Sequence, residues 1–343
     1  MRGFTMILVV MFHVSTISFG QVDNESASVP FLILFRMPLF FFVSGFLAYK
    51  ANFEWNAKSY VTILWKKVKI QILPTVVFFI LMCALRHDDF VFVFFTFLST
   101  TAKGGYWFTW SLLHMFFVYY TILFSYKYLF KFVNRGGKTG NIVIFFIFLV
   151  SVCTYMMLFM PSRFSFDSPF WGYSSLTQTM KYFQFFIIGN LAHRYWEKVE
   201  RMFDTRFFFP VVTIIATVCT LECLKFHNFS QVAEHFVRLA AIYSLMIIVF
   251  MFFRFYKDSF SKRTWIGYNL QKIGTRTLDI YLIHFILLPS LPCVGAFFAD
   301  NDANFLMEIV CSLIISIIVI TGCFIVSKTL RINPIFKKYL FGR

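Results

Sequence analysis

MRGFTMILVVMFHVSTISFG, residues 1–20, and PFLILFRMPLFFFVSGFLAYK, residues 30–50, decide how this chain is read. Both are apolar runs long enough to cross a bilayer as helices. Each carries an ionisable group inside it, His13 in the first and Arg36 in the second. Such groups are costly at membrane depth and mark functional candidates. Arg2 and His13 are eleven residues apart, three helical turns plus roughly 20°, so they share a face about 16 Å apart along the axis. With Arg2 at the water boundary, His13 falls near the bilayer midplane. The plain alternative is a structural histidine bonded to a neighbouring helix. In lipid, however, a polar group needs a specific partner, which favours a functional residue.

The second run places Arg36 about a turn and a half from its outer end. From there Arg36 cannot reach the inner surface cheaply, so a cavity or a carboxylate is expected beside it. Pro38 predicts a kink two residues later. Ser44 and Gly45 lie deeper, where small residues let helices approach closely. Ser44 can also serve as a nucleophile or a substrate contact, although packing is the simpler role.

The rest of the chain agrees with a membrane reading. Of 343 residues, 59% are hydrophobic and only 14% charged, and Phe alone accounts for 52. Mean hydropathy is +0.72. A soluble domain carries about a quarter charged residues, and a membrane barrel alternates apolar and polar positions. These runs are continuously apolar, which predicts an all-α polytopic membrane protein. The formal charge of +16 is no nucleic-acid footprint, because the basic residues sit in alternate loops. Seven cysteines lie within or at the edges of apolar runs with no CxxC pair and no zinc spacing. No metal and no disulfide framework is expected.

Apolar length gives about ten spans, near 4–20, 30–49, 70–86, 107–125, 141–160, 178–193, 207–224, 236–254, 278–298 and 305–327. FVFVFFTFLSTT, 90–101, is short for a span and suits an interfacial or re-entrant piece. The loops alternate in charge. Asp23 and Glu25, Asp88 and Asp89, and Asp300 and Asp302 mark one side. Lys50 to Lys69, Lys127 to Lys138, Arg194 to Arg206, Arg254 to Arg276 and the tail from Lys328 to Arg343 mark the other. The positive-inside rule then puts both termini and every basic loop in the cytoplasm. The first run has Arg2 ahead of it, as a signal peptide does, but it lacks a small-residue cleavage site and is expected to be retained. The chain starts almost on this helix, which leaves two readings: a mis-assigned start or an absent N-terminal tail. No repeat or linker interrupts the chain, so one integral-membrane domain over residues 1–343 is expected.

Several further residues are candidates. Lys66, Lys67 and Lys69 precede Pro74 at the expected cytoplasmic start of the third span. They are either topology signals or phosphate ligands, and Arg2 at the same face favours phosphates. Trp107 and Trp110 in GGYWFTW, 104–110, read as an interfacial belt. His284 in LDIYLIHF, 278–285, is a second intramembrane histidine, and nearby Asp279 is placed to pair with Arg276. Glu308 and Glu222 lie near outer helix ends, where they suit a basic partner or an acceptor hydroxyl.

Together these stretches resemble the acyltransferase family 3 membrane proteins, which include bacterial O-acetylases of capsule, O-antigen, peptidoglycan and nodulation-factor sugars. The resemblance rests on Arg2 and His13 with ten residues between them, FRMPLFFFVSGFL (35–47), KKVKIQILP (66–74), and YWFTWSLL (106–113) with IYLIHF (280–285). It covers nearly the whole chain. Where the family often has an Arg-x-Arg pair, this chain has Lys67 and Lys69, point charges without the planar fork. The resemblance implies a ten-helix core in the bacterial inner (cytoplasmic) membrane. It implies transfer of an acyl group, usually acetyl from cytoplasmic acetyl-CoA, to a hydroxyl of an extracytoplasmic or lipid-linked sugar. His13 would be the essential catalytic residue, with Arg2, Lys67 and Lys69 on the donor side; Arg2 and Arg36 are candidates for the catalytic set beside His13, and Lys66 for cofactor binding beside Lys67 and Lys69. Arg36, Ser44, Trp107, His284 and Glu308 are the candidates for the acceptor side, Arg36 also for the reacting carbonyl. His13 acts either as general base or through an acyl-histidine intermediate. The membrane lipids and the glycan acceptor are the expected partners. The rival reading is a transporter or flippase of a lipid-linked glycan, for which paired broken helices would be expected. The runs themselves reveal no such pairing.

Overall fold

The structure is a computed structural model, and it describes residues 1–21, 26, 28–50, 53, 55–86, 89–130, 138–158, 166, 168–224, 231–300 and 305–341. Among the loop residues named above, Asp23, Glu25, Asp88, Lys131, Arg135, Asp302 and Arg343 lie outside the described residues. The described chain is helical, with no strand among the described residues.

Among the described residues five helices are long and apolar enough to cross a membrane: Ser28–Ala48, Ala57–Leu85, Trp107–Lys127, Ala233–Phe255 and Phe305–Leu330. Two bent pairs raise the number to seven if each counts as one span. These are Trp196–Phe203 with Phe208–Leu224, bent by 85°, and Thr277–Leu287 with Pro292–Ala299, bent by 87°. Arg2–Ser18, Phe90–Ser99 and Ile142–Leu158 are shorter apolar helices. Five to seven spans are therefore long enough to stand by length and composition, where apolar runs alone suggested about ten.

Two local expectations change. The run 278–298 is not one helix, because Pro289 and Pro292 deny the backbone N–H groups a continuous helix needs. Pro38 lies inside the helix Ser28–Ala48. The third span begins not near residue 70 but at Ala57, where Asn56 and Ser59 form a capping box: Ser59 N–H donates to Asn56 Oδ1 (2.8 Å) and Asn56 N–H to Ser59 Oγ (3.0 Å). Lys66, Lys67 and Lys69 are thus helical. The wide turn Val68–Ile72 just before Pro74 gives the ring room against the preceding carbonyl. At about 1.5 Å per residue the 29 residues of Ala57–Leu85 exceed the roughly 30 Å of a bilayer core. The lysine-bearing part can then project beyond it.

The chain forms two compact units. The first comprises Met1–Phe40 and Trp196–Thr329. Here helix Arg2–His13 packs against Trp265–Thr275 and Thr277–Leu287. A Cβ on Gly3 would overlap the carbonyl oxygen of Leu270, so this crossing needs glycine. The second unit comprises Phe41–Tyr195 and Leu330–Arg343. Its centre is the crossing of the C-terminal half of Ser28–Ala48 with helix Leu176–Arg194. A Cβ on Gly45 would overlap Phe186 O, and one on Gly189 would overlap Phe42 O. The expectation that small residues near Ser44 serve close packing is met at Gly45, with buried Ser44 beside it. Asn190 donates to Tyr119 Oη at 2.8 Å and to Gly45 O at 3.4 Å beside this contact.

Candidate active site

The first helix buries Met6, Leu8, Val9, Val10 and Met11, and this apolar face fixes the direction of His13 at its end. His13 Nδ1 lies 2.9 Å from His284 Nε2, with ring centroids 5.0 Å apart and planes 29° apart. His284 Nδ1 is 3.1 Å from the backbone oxygen of Ile280. That oxygen only accepts, so His284 carries its proton on Nδ1, and its Nε2 accepts from His13 Nδ1–H. The proton positions follow from the bonding pattern. This chain leaves His13 Nε2 unprotonated, able to take a proton or to attack a carbonyl carbon. His284 is fully buried, whereas His13 is half-buried.

The walls are aromatic. The Phe285 ring is 4.7 Å from that of His13, and the Phe12 ring 5.3 Å. Arg36 Cζ sits 3.3 Å above the Phe12 centroid, a cation–π contact that keeps the guanidinium one ring away from His13. Phe12 supplies one face of the surroundings of Arg36. Arg2 is exposed at the start of the same helix. It lies about 16 Å along the axis from His13, so it does not reach the imidazole.

Two carboxylates are engaged elsewhere in this unit. Glu308 is fully buried and accepts from Ser26 Oγ (2.7 Å) and Ser28 N–H (2.8 Å), which caps the second helix at its positive end. Asp279 accepts from Arg276 at 3.2 Å, the pairing expected at this helix start, and from Ser327 Oγ at 2.7 Å. A cavity of about 400 Å³ opens beside Met1, lined by Trp196, Glu200, Phe250, Phe253, Arg254 and Lys257. Arg254 there pairs with Glu200 at 3.2 Å and Asp204 at 2.8 Å.

In the second unit, Lys67 Nζ stands 3.5 Å over the Phe116 ring, and Lys69 Nζ 5.4 Å over Trp65. Lys66 and Lys69 are exposed and Lys67 is half-buried. Trp107 stacks on Tyr182 at 5.5 Å and 22°, with Phe41 at 6.2 Å.

A family model described as an acyltransferase domain, of the acyltransferase 3 class, matches residues 1–328. The chain belongs to this acyltransferase family. No curated protein and no solved structure matches it. The match covers every candidate residue placed above, from Arg2 to Glu308. In this acyltransferase the pairing of His284 with His13 escaped the sequence reading, which set His284 among the acceptor contacts. The available signal was two lone histidines inside apolar runs, each needing a polar partner.

Proposed function

We propose that this acyltransferase moves an acetyl group from cytoplasmic acetyl-CoA to a hydroxyl of an extracytoplasmic or lipid-linked sugar in a bacterial inner membrane. The observation that carries the reading is the His13–His284–Ile280 hydrogen-bond chain, which presents His13 Nε2 as a base. The sugar oxygen bonds to the thioester carbonyl carbon as Nε2 takes its proton. The C–S bond then breaks, and the imidazolium returns the proton to the departing coenzyme A thiolate. In the other route Nε2 itself attacks the carbonyl carbon and the C–S bond breaks to release coenzyme A thiolate; the sugar oxygen then takes the acyl group as the C–N bond breaks, and the hydroxyl proton ends on the thiolate. The aromatic walls limit water, which favours transfer over hydrolysis.

The reading uses ten spans: the five long helices, the two bent pairs, and Arg2–Ser18, Ile142–Leu158 and Leu176–Arg194. Both termini and the basic segments are cytoplasmic. The deciding experiment is mass spectrometry of surface glycans from cells with and without the intact gene. A loss of one acetyl mass per repeat supports the reading, and identical glycans reject it. Family membership sets acyl transfer ahead of the transporter reading. The two bent pairs, Trp196–Phe203 with Phe208–Leu224 and Thr277–Leu287 with Pro292–Ala299, are features that a transporter would share.

Lys66, Lys67 and Lys69 supply cations for the phosphates of the donor. Lys67→Ala with Lys69→Ala should raise the KM for acetyl-CoA about tenfold, the effect of losing one or two charged contacts, with the acceptor KM unchanged. Equal donor KM values in vesicles would leave these lysines as topology signals.

Arg36 is read as nearer the outer face than His13, which suits contact with the acceptor. Arg36→Ala should raise the acceptor KM, and Arg36→Lys should keep part of the activity because a charge remains without the fork. A fall in kcat alone of about 10²–10³ in Arg36→Ala would instead make Arg36 a donor to the reaction's oxyanion. Steady-state rates at varied acceptor distinguish these outcomes.

A further inference from the structure

The cavity of about 400 Å³ beside Met1 takes no part in acyl transfer. Its size and its lining, aromatic with a few charged groups, are those of a small-molecule site, for which about 300–1,000 Å³ is usual. Phe4 of the first helix meets Phe253 of the cavity wall, with ring centroids 5.6 Å apart. Phe4 and His13 are nine residues apart on that helix, about two and a half turns, so they face opposite ways. The cavity therefore lies on the side away from the histidine pair, and its ligand is not the reacting thioester.

Two elements set its depth in the membrane. Phe250, Phe253 and Arg254 lie at the C-terminal end of the span Ala233–Phe255, and Lys257 lies just past it. Trp196 and Glu200 come from the helix Trp196–Phe203, which is bent by 85° from the apolar helix Phe208–Leu224 and so runs across it. Along Trp196–Phe203, Trp196, Val199 and Phe203 share one side, and Glu197, Lys198 and Arg201 share the other. A short helix divided in this way lies in the plane of the bilayer surface. The Phe250 ring meets Trp196 at 5.6 Å and Phe203 at 5.8 Å, which ties the surface helix to the end of the span. The cavity between them thus opens at the level of the lipid headgroups.

The charged groups select the headgroup. Arg254 reaches Glu200 at 3.2 Å and Asp204 at 2.8 Å, both through Nη2. Its Nε and Nη1, and the ammonium of Lys257, have no partner among the described residues. Those donors suit a phosphate. Glu200 and Asp204 keep acceptor sites, since an ionised carboxylate offers about four. Arg254 and Lys257 balance Glu200 and Asp204, so these four side chains sum to zero charge. Burial lowers the pKa of the Met1 amine to about 6, which leaves it mostly neutral at pH 7. Anionic lipids are held by clusters of several Lys and Arg, and here the two carboxylates would repel them. A zwitterion carrying a phosphate and an ammonium meets both signs. A primary ammonium also brings three N–H donors for the carboxylates, as a lysine does, whereas the quaternary nitrogen of choline brings none. We infer that this cavity binds the phosphoethanolamine headgroup of a phospholipid, its phosphate on Arg254 and Lys257 and its ammonium on Glu200 and Asp204. The site is independent of the acyl-transfer reading.

The test uses the full chain, purified in mild detergent, stripped of lipid and given phosphatidylethanolamine, phosphatidylglycerol or phosphatidylcholine with the same acyl chains. Native mass spectrometry counts the lipid retained, and the thermal midpoint reports the stabilisation that binding brings. Phosphatidylethanolamine should bind about tenfold more tightly than either other lipid, the effect of one charged hydrogen bond. Lys257→Glu, at an exposed side chain, should remove that advantage while the lipid-free midpoint stays at the wild-type value. Glu200→Gln leaves Arg254 its bond to Asp204 and makes the lining net positive, so preference should move towards phosphatidylglycerol. A loss of packing would not reverse a preference in this way. Equal binding of the three lipids by the wild type, or an unchanged preference in both variants, overturns the site. A rise in midpoint with soluble glycerophosphoethanolamine equal to that with the lipid, at the same concentration, also overturns it and assigns the cavity to a soluble ligand.

Discussion

His13→Ala is expected to abolish acyl transfer while the protein still accumulates in the membrane near its normal level. The loss comes from chemistry, since Nε2 of this ring is the nitrogen that its hydrogen-bond chain leaves without a proton. Its size separates the two routes. A missing general base costs about 10²–10⁴. A missing nucleophile costs more, on the order of 10⁶ in well-studied hydrolases. His284 acts through His13 and is a positioning residue. His284→Phe removes the acceptor for His13 Nδ1–H and should lower kcat about 10–100-fold, the scale for groups that orient a functional histidine. His284→Gln, whose amide oxygen still accepts, should recover part of that loss, which a purely packing role would not predict. The double variant His13→Ala with His284→Phe should be no slower than His13→Ala alone, because residues acting as one unit are not additive. Full transfer activity in His13→Ala, measured with labelled acetyl-CoA in vesicles, would remove His13 from the mechanism.

Gly45→Val is expected to prevent stable folding. A Cβ at this position meets a backbone carbonyl of the crossing helix at Phe186, and Gly189 meets Phe42 from the other side. A backbone carbonyl cannot rotate aside as a flexible side chain can, so the helices must separate along the whole contact. Overpacking a tight site costs about 1–3 kcal/mol and occasionally more, and two facing backbones put this site at the upper end. Separation would also break the Asn190 bonds to Gly45 O and Tyr119 Oη. The measurement is the yield of monodisperse protein in mild detergent and its thermal midpoint. Leu47→Val is the control on the same helix, at a side chain that is 48% exposed, and should behave as wild type. Equal yield and midpoint for Gly45→Val and Leu47→Val would show that the crossing is looser than these contacts imply.

Much of the architecture was legible in the chain because bilayer insertion depends on local composition. Continuous apolar runs with no period-2 alternation require helices, since hydrocarbon cannot satisfy a backbone N–H from outside. The helices around His13, Arg36 and Trp107 lie where those runs place them. The start at Ala57 was missed because Lys58, Lys66, Lys67 and Lys69 look like loop residues in a hydropathy reading. The Asn56–Ser59 capping box was the overlooked signal. The 87° bend near residue 290 was missed because LLPSLP is apolar enough to pass as span.

The sequence by itself determined that the chain is a helical membrane protein with acyltransferase motifs, and that His13 and Arg36 are ionisable groups inside its apolar runs. These are properties of residue type and spacing, fixed by the free energy of moving each group from water to lipid. Only the tertiary structure decided which distant residue meets which. It joined His13 to His284 across 271 positions, set Arg36 on Phe12, and turned Glu308 into the cap of the second helix. No local rule predicts such pairings, because a hydrogen bond between segments depends on how helices cross, and here glycine contacts such as Gly3 against Leu270 set the crossing.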